Sequence, residues 1–269
     1  MMLKRTIFQK LALIVGFSFL YLPILLIVIF SFNESKLVTV WGGFSFKWYG
    51  ELFRDEVMLS AAWLSLKVGF ISATLATIFG TIAGLIMARF GPFKGRALLA
   101  GMMSTPMVMP EVILGISFLL AFVAMEKMIG WPADRGFVTL IIAHTTFTLA
   151  YVSVIVQSRL ADMDPSIDEA AQDLGARPLK IFFWITLPMI IPALASGWLL
   201  AFSLSVDDVV ISQFVSGPGY TTLPLKVFSS VKLGIDPKIN ALGTLIVLIV
   251  GTAALISALT VMRRAKKKG

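Results

Sequence analysis

Six long apolar runs decide what this chain can fold into. They lie at about 11–31, 61–88, 97–126, 138–157, 189–212 and 240–262. A helix needs roughly 20 apolar residues to cross the hydrocarbon core of a bilayer, and each run approaches or exceeds that length. The composition agrees: 58% of residues are hydrophobic, 14% are charged and the mean hydropathy is +0.90. Soluble domains carry about 25% charged residues. A water-soluble core of 269 residues cannot hide this much apolar surface, so lipid must act as solvent. The reading is an all-α membrane protein with six transmembrane helices in a single transmembrane domain, residues 1–269. Lys4, Arg5 and Lys10 precede the first run. That run is longer than the apolar region of a secretory signal, and no Ala-x-Ala follows it, so it reads as an uncleaved span.

The net charge of +8 suggests loop asymmetry rather than nucleic-acid binding. Six spans put both termini on one side. With the termini cytoplasmic, 14 Lys and Arg residues fall inside and 8 outside, and Lys67 lies within the second span. This excess orients the chain with both termini in the cytoplasm. It also makes the polar segment 158–188 cytoplasmic. The outer segments are then 32–60, 127–137 and 213–239. The first holds Trp41, Trp48 and Tyr49, suited to a membrane interface. The last contains the turn signal Ser216-Gly217-Pro218-Gly219, an amphipathic stretch at 223–234, and Asp236-Pro237 at the start of the sixth span.

The segment between the fourth and fifth spans is the most informative. Pro165 follows Asp164, and Ser166-Ile167-Asp168-Glu169 fits the Ser-x-x-Glu capping pattern. A helix beginning there carries one small apolar face, Ala170, Ala171 and Leu174, beside Asp168, Glu169 and Asp173. Gly175 ends it, a usual place for a left-handed residue. Arg177 and Pro178 follow, where a second short helix begins, and Pro188 leads into the fifth span. A helix–glycine–helix element of this kind suits docking on a soluble partner and passing a rigid-body movement to the spans. The plainer alternative is an ordinary amphipathic connector.

Three carboxylates lie in or near the spans. Glu111 sits about the middle of the third run, after Pro110, and Asp207 and Asp208 sit in the outer part of the fifth. An acid at a membrane helix centre costs about 2.5–3.5 kcal/mol on insertion scales. Pro106 and Pro110 free backbone carbonyls near Glu111, which is tolerated where backbone lines a cavity. Carboxylates beside an aqueous path attract cations. Trp198 and Phe202, an i, i+4 pair, could add aromatic faces for a flexible diammonium. The competing reading is that the aspartates only cap or hydrogen-bond within the helices, and that the aromatics only pack. His144, the single histidine, reads as an interhelical hydrogen-bond partner rather than a proton relay. Lys67 reads as a snorkelling side chain.

The full pattern Glu169-Ala170-Ala171, three residues, Gly175, nine residues, Ile185-x-Leu187-Pro188 resembles the EAA loop of ABC-importer permeases. Residues 35–54, 130–136, Ser203–Val210, Phe214–Pro218 and Asn240–Leu242 are similar to polyamine permeases of that family. They are most like the second permease subunits of putrescine importers. The resemblance spans nearly the whole chain. It implies a type I ABC-importer permease (MetI-like) fold in the bacterial inner membrane, paired with a second permease subunit. Two cytoplasmic ATPase subunits would dock at Glu169, Ala170, Ala171, Asp173, Gly175, Arg177 and Pro188, and a periplasmic polyamine-binding protein would deliver the substrate. This chain has no Gly-x-x-x-x-Gly-Lys-Ser/Thr phosphate loop, so ATP and Mg would sit on the partners and no cofactor on this chain. With no cysteine and one histidine, no catalytic set and no metal site is expected. Alternatives are the same machinery carrying spermidine, thiamine or ferric iron, and an ATPase-independent channel or carrier.

Overall fold

The computed structural model describes the backbone of residues 7–37, 40–233 and 236–266. Lys4, Arg5, Lys267 and Lys268 from the charge count, Val38 and Thr39 of the first outer segment, and Gly234 lie outside the described residues. The extended elements among those residues are helices: α1 (Ile7–Phe30), α2 (Lys47–Leu52), α3 (Glu56–Arg89), α4 (Arg96–Val108), α5 (Glu111–Ile129), α6 (Phe137–Ala161), α7 (Ser166–Asp173), α8 (Pro178–Ile181), α9 (Leu187–Val206), α10 (Val210–Val215), α11 (Leu223–Leu233) and α12 (Lys238–Lys266). Among the described residues, five apolar segments are long enough to cross a membrane: α1, α3, α5, α6 and the continuous stretch Pro178–Val206. With α12, whose described apolar part is Lys238–Thr252, they make six membrane helices.

Two compact units divide the chain, residues 1–59 with 229–269, and residues 60–228. In the first, α1 is apolar on all sides and exposed from Ile7 to Ile27, as a helix solvated by lipid can be. It packs on α12, where Gly243 lets Ile27 approach. The loop after α1 is built around buried Asn33. Its side-chain amide donates to the Val40 carbonyl (2.8 Å) and its carbonyl accepts from Gly42 N–H (2.8 Å). Its backbone carbonyl takes the Trp48 indole N–H at 2.6 Å. Trp48 is therefore only 2% exposed and braces the loop; it is not the interface anchor expected beside half-exposed Trp41. At the start of α12, Lys238 pairs with Asp55 (2.5 Å) and Asp236 (3.2 Å), which offsets a cation at the positive end of a helix dipole.

In the second unit the close crossing of α3 and α6 sets the frame. Ala73, Ala76, Gly80 and Gly84 recur along one face of α3, and the two alanines are fully buried. A Cβ at Gly80 would meet Val152 Cβ at 2.9 Å, and one at Gly84 would meet the Ser153 carbonyl oxygen at 2.8 Å. Small residues at helical spacing let membrane helices approach this closely, and packing rather than hydrophobicity then holds them. The α6 helix, the most buried of the apolar segments, also packs along α9.

The third apolar run is not one helix. Met109 is extended (ψ 139°) ahead of Pro110, and α5 starts afresh at Glu111. The residue before a proline is pushed out of helical conformation. Glu111 therefore lies in the first turn of α5, exposed, and not in the middle of a span. A carboxylate there is favoured by the helix dipole.

Gly84→Ala should lower the thermal midpoint of detergent-solubilised protein by several degrees, because the opposing atoms are two backbone atoms of α6 and the Val156 Cβ, none of which can rotate away. Gly101→Ala, at a position with open space around it, should leave the midpoint unchanged or slightly raised. Fluorescence-detected thermal unfolding of the two variants checks this.

Candidate functional site

The polar segment after α6 folds as a capped short helix. The N-cap position is Pro165, and the cap comes from Asp164 just before it, not from Ser166: the Asp164 carboxylate accepts Ser166 N–H at 2.9 Å, and Ser166 is already the first helical residue. The backbone N–H and then the hydroxyl of Ser166 hold the Asp164 carboxyl below its ordinary pKa. The cap is thus present at neutral pH and is lost only as pH falls through that lowered value.

The other end of α7 closes as a Schellman motif. Gly175 has φ +79°; its N–H reaches the Gln172 carbonyl (2.8 Å) and Ala176 N–H reaches that of Ala171 (3.0 Å). This is the 5→2 and 6→1 pairing of a left-handed cap. Arg177 is extended and Pro178 opens α8.

Pro188 does not begin a separate span. The chain runs from α8 through a single π turn, Phe182–Thr186, directly into α9. Pro188 has no N–H to give, and its ring crowds the carbonyl one turn back. A wider turn absorbs both problems without breaking the helix. Pro178 is the true start of this 29-residue helix.

The apolar face expected of α7 is split in two. Ala171 is buried, while Ala170 and Leu174 are exposed, Leu174 by 89%. Glu169, Asp173, Arg177 and Leu179 are also exposed. The outward surface is thus a small apolar strip flanked by acids. On the inward side Asp168 approaches Arg89, the last residue of α3, with Oδ2 at 3.3 Å from Nε. Thr186 donates to Asp168 Oδ1 at 3.4 Å. A groove of about 410 Å³ lies here, lined by Leu85, Arg89, Phe90, Asp168, Phe182 and Thr186 among others. The Arg89–Asp168 link was not singled out in the sequence. Its only sign was two opposite charges at the ends of polar connections on one side of the chain.

Asp207 and Asp208 lie just beyond α9, which ends at Val206, and so outside the helix expected to contain them. Their roles separate. Asp207 is exposed. Asp208 is 8% exposed and caps α10, with Oδ1 accepting Ile211 N–H (3.1 Å) and Oδ2 accepting Ser212 N–H (2.7 Å). His144 of α6 lies behind it. Its Nδ1 is 2.7 Å from the Ser205 hydroxyl, and its Nε2 is 3.1 Å from the Ser212 hydroxyl and 3.5 Å from Asp208. The single histidine thus ties α6 across the α9–α10 turn. Trp198 stacks on Phe202 (5.3 Å), meets Phe70 edge-on and donates to Thr74. The pair therefore packs on α3. No hydrogen bond, ion pair or ring contact joins it to Glu111, Asp207 or Asp208 among the described residues. Exposed Lys67 lies over the Trp63 ring at 5.2 Å.

A six-helix permease with a polar helical segment ahead of its fifth membrane helix is the class this architecture defines. Residues 80–267 match the family described as "Binding-protein-dependent transport system inner membrane component", and the chain belongs to it. It is a multi-pass membrane permease of the ABC-importer type and not an enzyme. The chain is 58% identical over 264 residues to the putrescine transport system permease protein PotI of Escherichia coli K12, covering 98% of this chain and 94% of the relative. It is 40% identical to the spermidine/putrescine transport system permease protein PotC of the same strain, covering 94% and 92%. Among solved structures it is similar in fold to a bacterial ABC transporter involved in import of the acidic polysaccharide alginate (TM-score 0.73, 16% identity, 94% of each chain). It is also similar to the MetNI methionine ABC transporter (TM-score 0.61, 16% identity, 77% of this chain and 95% of that one).

The two aspartates should behave differently on substitution. Asp208→Ala uncaps α10 and strips His144 of a partner, a loss of about 1–3 kcal/mol, and should lower the thermal midpoint in detergent. Asp207→Asn should leave it within a degree or so of wild type. Equal midpoints for the two variants would contradict the separation of roles.

Proposed function

We propose that this chain is a permease subunit of an ATP-driven importer that carries putrescine across the bacterial inner membrane, with both termini cytoplasmic. In this reading it pairs with a second permease subunit. Two cytoplasmic ATPase subunits bind ATP and Mg, and a periplasmic polyamine-binding protein delivers the substrate. The carrying observation is the 58% identity to the E. coli putrescine permease over 98% of this chain. The 40% identity to a spermidine/putrescine permease supports spermidine as the second substrate to test.

The outward strip of α7 is the docking element of this proposal. Ala170 is small enough for close approach, Leu174 supplies an apolar knob, and Glu169 and Asp173 supply charge. Gly175 fixes the angle between α7 and the helix that begins at Pro178, and Arg177 lies at that corner. Because α8 runs into α9 without a break, displacement at the docking surface reaches the membrane helix directly; Pro188 sits within this continuous rod. ATP binding closes the ATPases and moves this element, the path opens outward, and the binding protein releases its ligand. Hydrolysis then resets the permease.

For the path, Glu111 and Asp207 supply exposed carboxylates that attract a dication. Asp208 fixes the turn that holds Asp207, and Trp198 and Phe202 form part of the wall against α3.

ATP-dependent uptake of labelled putrescine and spermidine into vesicles holding the full complex tests the assignment. Putrescine uptake that requires both ATP and the binding protein is expected. Uptake without any ATPase would overturn it. Gly175→Pro combined with Glu169→Lys should abolish co-purification of the ATPase and reduce uptake at least ten-fold, because proline cannot adopt φ +79° and the charge reversal inverts the docking surface. Normal recruitment and transport by this double variant would refute the docking role.

A further inference from the structure

We infer that Arg89 and Asp168 form a latch between α3 and α7 that couples movement of the docking helix to the membrane helices. The inference rests on the proposal that α7 docks on an ATPase.

The chemistry of the α3 terminus frees Arg89 for this role. A helix leaves its last carbonyls without partners, and an arginine in the last turn could be consumed there. Instead Arg96 serves one of them, donating to Met87 (2.9 Å), and also takes the two carbonyls just past the helix, Phe90 (2.6 Å) and Gly91 (2.8 Å). Arg89 is left to reach sideways to Asp168 in the first turn of α7. Each charge is also favoured by its own helix, a cation at a C-terminus and an anion at an N-terminus.

The contact is incompletely made. Nε and Oδ2 are 3.3 Å apart, yet Nε and Nη2 of Arg89 are both buried and have no hydrogen-bond partner. Those two atoms form the edge of a guanidinium that can take a carboxylate side-on with two parallel bonds. Asp168 offers two oxygens, of which Oδ1 is held only by a long bond from Thr186. A small approach of α7 toward α3 would complete the fork. The side chains are 19% and 20% exposed. That lies between fully exposed pairs, which bias a structure little, and fully buried ones, which do not readily open. Asp168 also touches the start of the α9 rod through Thr186. One carboxylate on the docking helix therefore meets two membrane helices. Arg89 and Asp168 act here as positioning residues, through α7, and not on substrate.

The test uses the complete transporter in vesicles, with ATPase recruitment, basal ATP hydrolysis and binding-protein-dependent uptake measured together. Arg89→Lys keeps the charge but lacks the fork; Asp168→Asn keeps the shape but lacks the charge. Both should co-purify with the ATPase as wild type does and retain basal hydrolysis. The ATP hydrolysed per putrescine imported should rise roughly five-fold or more, the lower end of ordinary coupling effects. The exchange Arg89→Asp with Asp168→Arg should recover part of the loss. An unchanged ratio in both single variants, with the ATPase bound, would overturn the latch. So would loss of accumulation in all three variants, since the pair would then be a folding brace. A wild-type chain that recruited no ATPase would instead defeat the docking proposal itself.

Discussion

The close approach of α3 to α6 is the constraint on which the second unit depends. Between lipid-solvated helices there is little hydrophobic gain, so helices associate through van der Waals contact and interhelical hydrogen bonds. Both require small residues at the crossing. Gly80 and Gly84 of α3 let the α6 backbone come within reach, and Ser72 then donates to the Ile141 carbonyl at 3.3 Å. This crossing brings the end of α3, with Arg89, to the segment that follows α6. It also holds α6 in the core, from which His144 reaches the turn after α9.

The buried polar cluster at that turn shows how the chain accommodates acids in an apolar setting. A carboxylate without partners is expensive to bury. Asp208 has two backbone N–H donors and an imidazole beside it, so its burial is compensated by the start of α10. Its neighbour Asp207 has no such role and remains exposed. Adjacent residues of one type thus divide into a buried structural carboxylate and an exposed one.

Much of the architecture was legible in the sequence because lipid imposes length and polarity on every spanning helix. The left-handed glycine at 175 and the helix start at Pro178 follow from local rules, whereas the third apolar run divides at Met109-Pro110. Local rules failed where two signals competed. Ser166 fits a capping pattern, but it is already the first helical residue, and its own N–H is taken by Asp164 two residues earlier. Pro188 looks like a helix start, but a π turn absorbs it. Ala170 and Ala171 look like one face, but one packs inward and the other outward, because neighbouring residues on a helix point about 100° apart.

What the sequence by itself determined was the class of protein. Long apolar runs can be solvated only by lipid, and the Glu169–Pro188 pattern between two of them resembles one kind of transporter. Only the tertiary structure decided which charges meet. Arg89 and Asp168 are far apart in the chain, as are His144 and Asp208, and nothing in local spacing pairs them. Their partners depend on which helices cross and at what depth. That is set by side-chain volumes along the α3–α6 and α6–α9 faces, a property of packing in three dimensions rather than of any one segment.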